Sequence, residues 1–177
     1  MNNRKILTIQ QIIESEKKFI AKFSEETILN VAGKKIAEYL KKYYADKKIF
    51  FVCGHGNNGN DGKKCSFFLK GFGIESKIFL IDKQAKQISK KIMDILQDSE
   101  IIVDCIFGIG VNRIVDNFYK EIINSLNFSK KKIISIDIPS GVCANTGKIF
   151  GTAIKADITL AMGFYKPAHF LLPSKSN

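Results

Sequence analysis

Phe51-Val52-Cys53-Gly54-His55-Gly56-Asn57-Asn58-Gly59-Asn60-Asp61-Gly62 is the stretch that decides the fold. A short apolar strand runs into a loop of glycines and asparagines, and a segment able to form a helix follows. Such a loop carries little side-chain bulk, tolerates left-handed backbone angles and offers amide groups to a ligand above it. Gly54, Gly56 and Gly59 fit the letters of a dinucleotide fingerprint, with Asp82 as the acidic residue after the next strand, but that pattern alone also fits a tight strand-to-helix turn. A phosphate loop of the Walker A type is excluded, because no Gly-Lys-Ser/Thr follows.

Outward from this stretch the chain alternates. Lys48 to Cys53 reads as a buried strand. Upstream, an amphipathic helix from Ile6 to about Phe23 carries the stripe Ile9, Ile12, Ile13, Phe19 and Ile20. A second helix from about Glu25 to Tyr44 places Ile28, Val31, Ala32, Ile36, Tyr39 and Leu40 at helical spacing. Downstream, the pattern predicts a helix over Asp61 to Leu69, capped by Asp61 or Asn60. A strand (Ser76 to Ile81), a helix (Gln84 to Leu96), a strand (Ile101 to Cys105) and a helix (Phe118 to Leu126) follow, then strands over Lys132 to Asp137 and Ile158 to Met162. Strands rich in Ile, Val and Phe that alternate with helices predict an α/β fold, a three-layer α/β/α sandwich around a mostly parallel sheet. No repeat, linker or low-complexity segment interrupts it, so residues 1–177 read as a single domain.

Composition narrows the function classes. Hydrophobic residues make up 45% and charged residues 25% of 177, as in an ordinary globular protein. No apolar run approaches the ~20 residues that span a membrane, and the basic start lacks an apolar signal core, which predicts a cytoplasmic protein without a membrane partner. The net charge is +11. It is almost all lysine, scattered over helix faces and turns, with arginine only at Arg4 and Arg113. No arginine-rich arm or aromatic platform accompanies it, so a solvated surface is expected and nucleic acid is not. Cys53, Cys65, Cys105 and Cys143 form no C-x-x-C pair and only His55 and His169 could join them, which argues against zinc.

Right-handed crossovers bring every strand-to-helix loop to one edge of the sheet. There the first strand delivers the Gly/Asn loop, the third Asp104-Cys105-Ile106-Phe107-Gly108-Ile109-Gly110, the fourth Asp137-Ile138-Pro139-Ser140-Gly141, and the fifth Gly163-Phe164-Tyr165-Lys166-Pro167. Ligands of doubly wound sheets bind at that edge. Asp104 and Asp137 each end a strand where an apolar residue is the default, and the Pro-Ser-Gly turn after Asp137 would hold its carboxylate rigidly. Asn58, Asp104 and Ser140 are hard oxygen donors suited to an alkali or alkaline-earth ion. Lys166 reads either as a phosphate contact or as a solvated lysine, and His55 and His169 as non-catalytic.

Taken together, Gly56-Asn57-Asn58-Gly59-Asn60-Asp61-Gly62, Val103-Asp104-Cys105-Ile106-Phe107-Gly108-Ile109-Gly110 and Ile136-Asp137-Ile138-Pro139-Ser140-Gly141 resemble the NAD(P)H-hydrate epimerase family, the YjeF N-terminal domain. Glu26-Thr27-Ile28-Leu29-Asn30-Val31-Ala32-Gly33 and Met162-Gly163-Phe164-Tyr165-Lys166-Pro167 extend the likeness over nearly the whole chain, in order. The resemblance implies a Rossmann-like fold and a repair isomerase. Its substrates would be NADH and NADPH hydrated at C6 of the nicotinamide ring (NADHX and NADPHX), whose R and S epimers it interconverts before a separate NAD(P)H-hydrate dehydratase acts on the S form. It implies K+ ligands at Asn58, Asp104 and Ser140, and substrate contacts at Asn57, Asn58, Gly59, Asn60, Asp61, Gly108, Ile109, Gly110, Val111, Asn112, Arg113, Ile114 and Asp137. A homodimer is compatible with it.

Moving a proton at the C6 hydroxyl or the ring nitrogen requires an acid/base group, and Asp137 is the expected one. The alternative is a catalytically weak nucleotide-binding module acting with the dehydratase. Two departures from the family pattern stand out. Asn60 replaces the second glycine of Asn-Asn-Gly-Gly-Asp-Gly, where a positive φ would tolerate Asn best. The chain also stops at Asn177, before the further strand that the resemblance leads one to expect, so the domain reads as shortened at its C-terminus.

Overall fold

The computed structural model describes residues 5–84 and 88–171. Helices α1 (Ile9–Phe23) and α2 (Glu25–Tyr44) lead into β1 (Ile49–Cys53), α3 (Asn57–Gly71), β2 (Ser76–Leu80), α4 (Ile88–Gln97), β3 (Ile101–Cys105), α5 (Asn117–Phe128), β4 (Lys132–Ile136) and β5 (Ile158–Leu160), and a 3-10 turn (Pro167–His169) follows. The sheet order is β2-β1-β3-β4-β5, and every neighbouring pair is parallel. The order reverses between β1 and β3, so their two carboxyl-end loops diverge and leave a crevice between them.

Both faces of the sheet are covered, which explains the near-continuous apolar strands. Phe50 and Val52 of β1 and Ile102 of β3 pack with Ile92, Leu96, Ile122, Ile123 and Leu126 from α4 and α5. On the other face Ile49, Phe51, Cys53, Val103 and Cys105 pack with Ile36, Ala37, Leu40, Cys65 and Leu69 from α2 and α3. Helix α3 lies close to the strands because Gly62 faces them. A Cβ there would sit 2.6 Å from Cys105 Sγ and 2.9 Å from Cys53 Sγ, closer than real carbon–sulfur contacts allow. The reduced cysteines thus act as small core residues.

The elements agree with the sequence pattern in kind, and the differences are informative. Helix α3 starts at Asn57 rather than Asp61, and its N-cap is Gly56, which has no side chain to accept from the first-turn amides. The asparagines are therefore the first helical turn and not a free loop. Asn60 N–H bonds to Gly56 O at 3.1 Å as an ordinary helical residue, so this position does not need a positive φ. Helix α1 starts at Ile9 because Thr8 and Gln11 form a capping box ahead of it, and of its apolar stripe only Ile12 is buried. Gln84 lies in a turn before α4, and residues 85–87 of that expected helix, like the C-terminal segment 172–177, lie outside the described residues. The fifth strand ends at Leu160. The fourth ends at Ile136, because Asp137 turns out of the sheet at φ +71°.

Candidate active site at the carboxyl edge of the sheet

A cleft of about 2200 Å³ opens over the carboxyl ends of the strands. Its floor is a hydrogen-bonded knot around Asp104. This carboxylate is fully buried between β1 and β4. It accepts from Ser135 Oγ (2.7 Å), Ser140 N–H (2.9 Å), Ser140 Oγ (2.6 Å) and Ile106 N–H (3.2 Å). The Ser140 hydroxyl in turn accepts from Phe107 N–H at 2.9 Å, and Asn58 Nδ2 donates to Phe107 O at 2.8 Å. One aspartate thus fastens the loops after β3 and β4, and Asn58 ties the start of α3 to them.

The same knot fits a monovalent cation. Asn58 Oδ1 is buried and has no hydrogen-bond partner among the described residues, an arrangement that costs free energy unless something positive fills the gap. Burial pushes the Asp104 carboxyl above the usual range despite its four donors, all of them neutral, so a cation there would relieve the buried charge. An amide oxygen, a carboxylate and a hydroxyl make an all-oxygen donor set suited to a hard ion. Asn58, Asp104 and Ser140 are brought together as the sequence predicts.

Above the floor sits Asp137. Its N–H continues the ladder to Leu160 O at 2.8 Å. Its Oδ1 accepts from Met162 N–H at 3.2 Å and pairs with the Lys166 ammonium. Its Oδ2 faces Gly108, where a Cβ would come within 3.7 Å of it. Glycine at 108 thus keeps the approach to this oxygen open. Asp61, in the second turn of α3, and Glu16, from α1, face the same carboxylate. Burial, then the charges of Asp137 and Glu16, push the Asp61 carboxyl up to about 7. Burial and Asp137 also raise Glu16, while Lys166 lowers it.

Asp61 therefore works against stability at neutral pH. Its folded-state pKa lies above the ordinary 3.8, so folding favours its protonated form. The contribution is favourable below about pH 4 and is lost as pH rises through 7. Asp61→Asn is expected to raise the unfolding free energy at pH 8 by about 1–2 kcal/mol, after solvent screening, with the gain vanishing by pH 4. Denaturant titrations at the two pH values measure this.

Asn57, Asn58, Asn60, Asp61 and the whole loop Gly108, Ile109, Gly110, Val111, Asn112, Arg113, Ile114 line the cleft with Asp137. Gly59 does not belong with them. It is buried against Gly54, where a Cβ would fall 1.9 Å from the Gly54 oxygen, so its role is to let α3 approach β1. Asp104 and Ser140 lie beneath the cleft and not in its wall. The uncapped N-terminus of α3 opens into the cleft, where its amides and dipole suit an anion.

Sequence reasoning missed three contributors. Glu16 comes from the polar face of α1 and carried no local signal. Lys166 is not solvated: it is 2% exposed, and its ammonium also donates to Met162 O at 2.7 Å. His169 Nδ1 accepts from Lys166 N–H at 2.9 Å, so Nε2 carries the proton and donates to Asp137 O at 2.8 Å. Burial lowers the His169 pKa and keeps the ring neutral.

A parallel β2-β1-β3-β4-β5 sheet with an anion-suited helix start and an acidic pocket at the carboxyl edge defines a Rossmann-like α/β protein. The sequence model of the YjeF-related protein N-terminus matches residues 25–97 and 80–168, and the chain belongs to that family. It is 33% identical to the NAD(P)H-hydrate epimerase of Elusimicrobium minutum, covering 92% of this chain and 87% of that protein. It is 37% identical to the bifunctional NAD(P)H-hydrate repair enzyme Nnr of Dictyoglomus turgidum, covering 89% of this chain but only 35% of that protein. The chain therefore spans about a third of the bifunctional relative and most of the epimerase. The crystal structure of the yeast protein YNL200c shares the fold, with a TM-score of 0.78 and 21% identity over 93% of this chain and 82% of that one. No helix among the described residues is long and apolar enough to cross a membrane.

Proposed function

We infer that this chain is an isomerase that interconverts the R and S forms of NADHX and NADPHX, with Asp137 as the group that moves the proton. The observation that carries the reading is the Asp137 carboxylate itself. One oxygen is tied down by Met162 N–H and Lys166, and the other is open toward Gly108 in the cleft. The names of the relatives at 33% and 37% identity support the substrate.

Inversion at C6 by ring opening balances as follows. The C6 hydroxyl proton passes to Asp137 Oδ2. C6–O becomes a carbonyl as the C6–N1 bond breaks and its electron pair moves to N1, delocalised toward the ring carboxamide. Rotation about C5–C6 presents the other face of the carbonyl. N1 attacks again, and the alkoxide takes its proton back from Asp137. The residues bind, orient and hold the proton. The amides at the start of α3 and Arg113 suit the pyrophosphate and sugar of the nucleotide, while the loop from Gly108 to Ile114 forms a wall of the site. K+ held by Asn58, Asp104 and Ser140 would supply fixed positive charge beneath the site. The reading includes a cytoplasmic setting, and a dehydratase as the enzyme that consumes the S form; a relative named as a bifunctional NAD(P)H-hydrate repair enzyme supports a second repair activity beside this one.

A mixed R and S hydrate preparation treated with an S-specific dehydratase alone should stop when the S form is spent. Adding this chain should carry dehydration to completion, faster in K+ than in tetramethylammonium buffer. A folded chain that leaves the R form untouched in both buffers would instead favour the nucleotide-binding module without turnover.

A further inference from the structure

We propose that Lys166 and His169 are positioning residues that select a single oxygen of Asp137, Oδ2, for proton transfer. The proposal rests on Asp137 being the acid/base group of the inferred isomerase.

Asp137 occupies a left-handed backbone position, φ +71°, which a non-glycine residue keeps only when its surroundings fix it. Four contacts do so. The backbone N–H bonds to Leu160 O at 2.8 Å and the carbonyl accepts from His169 Nε2 at 2.8 Å. The side-chain Oδ1 accepts from Met162 N–H at 3.2 Å and from the Lys166 ammonium. Free rotation of the carboxylate would exchange its oxygens, and the two Oδ1 bonds prevent that exchange. Lys166 is in turn held from both ends. Its ammonium donates to Met162 O at 2.7 Å, and its N–H donates to His169 Nδ1 at 2.9 Å. His169 therefore bridges the backbones of Lys166 and Asp137 and sets the distance between the ion-pair partners.

A lysine that is 2% exposed is costly to desolvate. A solvated lysine would serve the fold as well, so its burial against one carboxylate points to the site. The other charged groups facing Asp137 are Glu16 from α1 and Asp61 from α3, both acidic. Lys166 is thus the basic group set against this acidic cluster.

The test compares Lys166→Met, Lys166→Arg, His169→Gln and Asp137→Asn in R-to-S conversion, with full pH–rate profiles and thermal unfolding curves. Lys166→Met should lower kcat by about 100-fold with KM changed less than about 3-fold, and should move the acid limb of the profile upward by about one pH unit or more. Lys166→Arg keeps the charge and should hold the acid limb near its original place even if packing lowers kcat, which keeps the proposal testable where Lys166→Met fails to fold. His169→Gln should lower kcat with KM little changed. Folded Lys166→Met enzyme with unchanged kcat and acid limb, or Lys166→Arg with its acid limb displaced by a pH unit or more, alongside an inactive Asp137→Asn, would overturn the positioning role and leave the isomerase reading intact. An active Asp137→Asn would overturn the reading itself.

Discussion

Asp137→Asn is expected to lower the rate of R-to-S conversion by about 1000-fold, near the middle of the range for loss of a general acid/base, while binding of the nicotinamide nucleotide changes little. The amide has the shape of the carboxylate, so Met162 N–H can still find an oxygen and the left-handed turn can persist, since Asn tolerates it. What is lost is the proton acceptor at Oδ2. The Lys166 ammonium also loses its counter-charge, so a moderate fall in stability should accompany the loss of rate. Single-epimer time courses and calorimetric binding of the reduced nucleotide separate the two effects. Binding that collapses together with turnover would mean that Asp137 holds the substrate rather than moving its proton.

The second large effect is structural. Asp104→Leu is expected to destabilise the fold by about 3–5 kcal/mol, the sum of several buried donors left unsatisfied at about 1–3 kcal/mol each, and to abolish conversion. The substitution strands Ser135 Oγ, Ser140 Oγ and the amides of Ser140 and Ile106 in a site with no water access. An unmade buried bond costs more than a made one contributes. The loops carrying Phe107 and Ser140 would separate, and the wall from Gly108 onward with them. Asp104→Leu combined with Ser135→Val should recover only part of the loss, because the two amides remain unpaired. Chemical denaturation of the single and double variants measures this. Equal stability of Asp104→Leu and the unaltered chain would contradict the knot as the fastening of the site.

The sheet was legible because periodicity and burial agree in β1 and β3, whose five residues are all buried. The start of α3 was not, because asparagine and glycine are weak helix formers. Only the close approach of Gly59 and Gly62 to Gly54 and to the cysteine sulfurs explains why the helix begins there. Asp104 and Asp137 could be picked out as polar residues at the ends of apolar strands, and Ser140 as a hard oxygen donor in the turn that follows. Lys166 could be named only as a phosphate contact or a solvated lysine, because its burial follows from a contact spanning 29 residues. His169 lay equally out of reach. Its role depends on two backbone groups, at Asp137 and Lys166, that composition does not describe.

The most direct measurement starts from one pure epimer of NADHX, incubated with the folded chain in K+ buffer and resolved by chromatography over time. R and S starting materials should converge on the same mixture, far faster than without protein. Each epimer persisting at its spontaneous rate, in the presence of protein shown to bind the nucleotide, would contradict the assignment of this site as an epimerase.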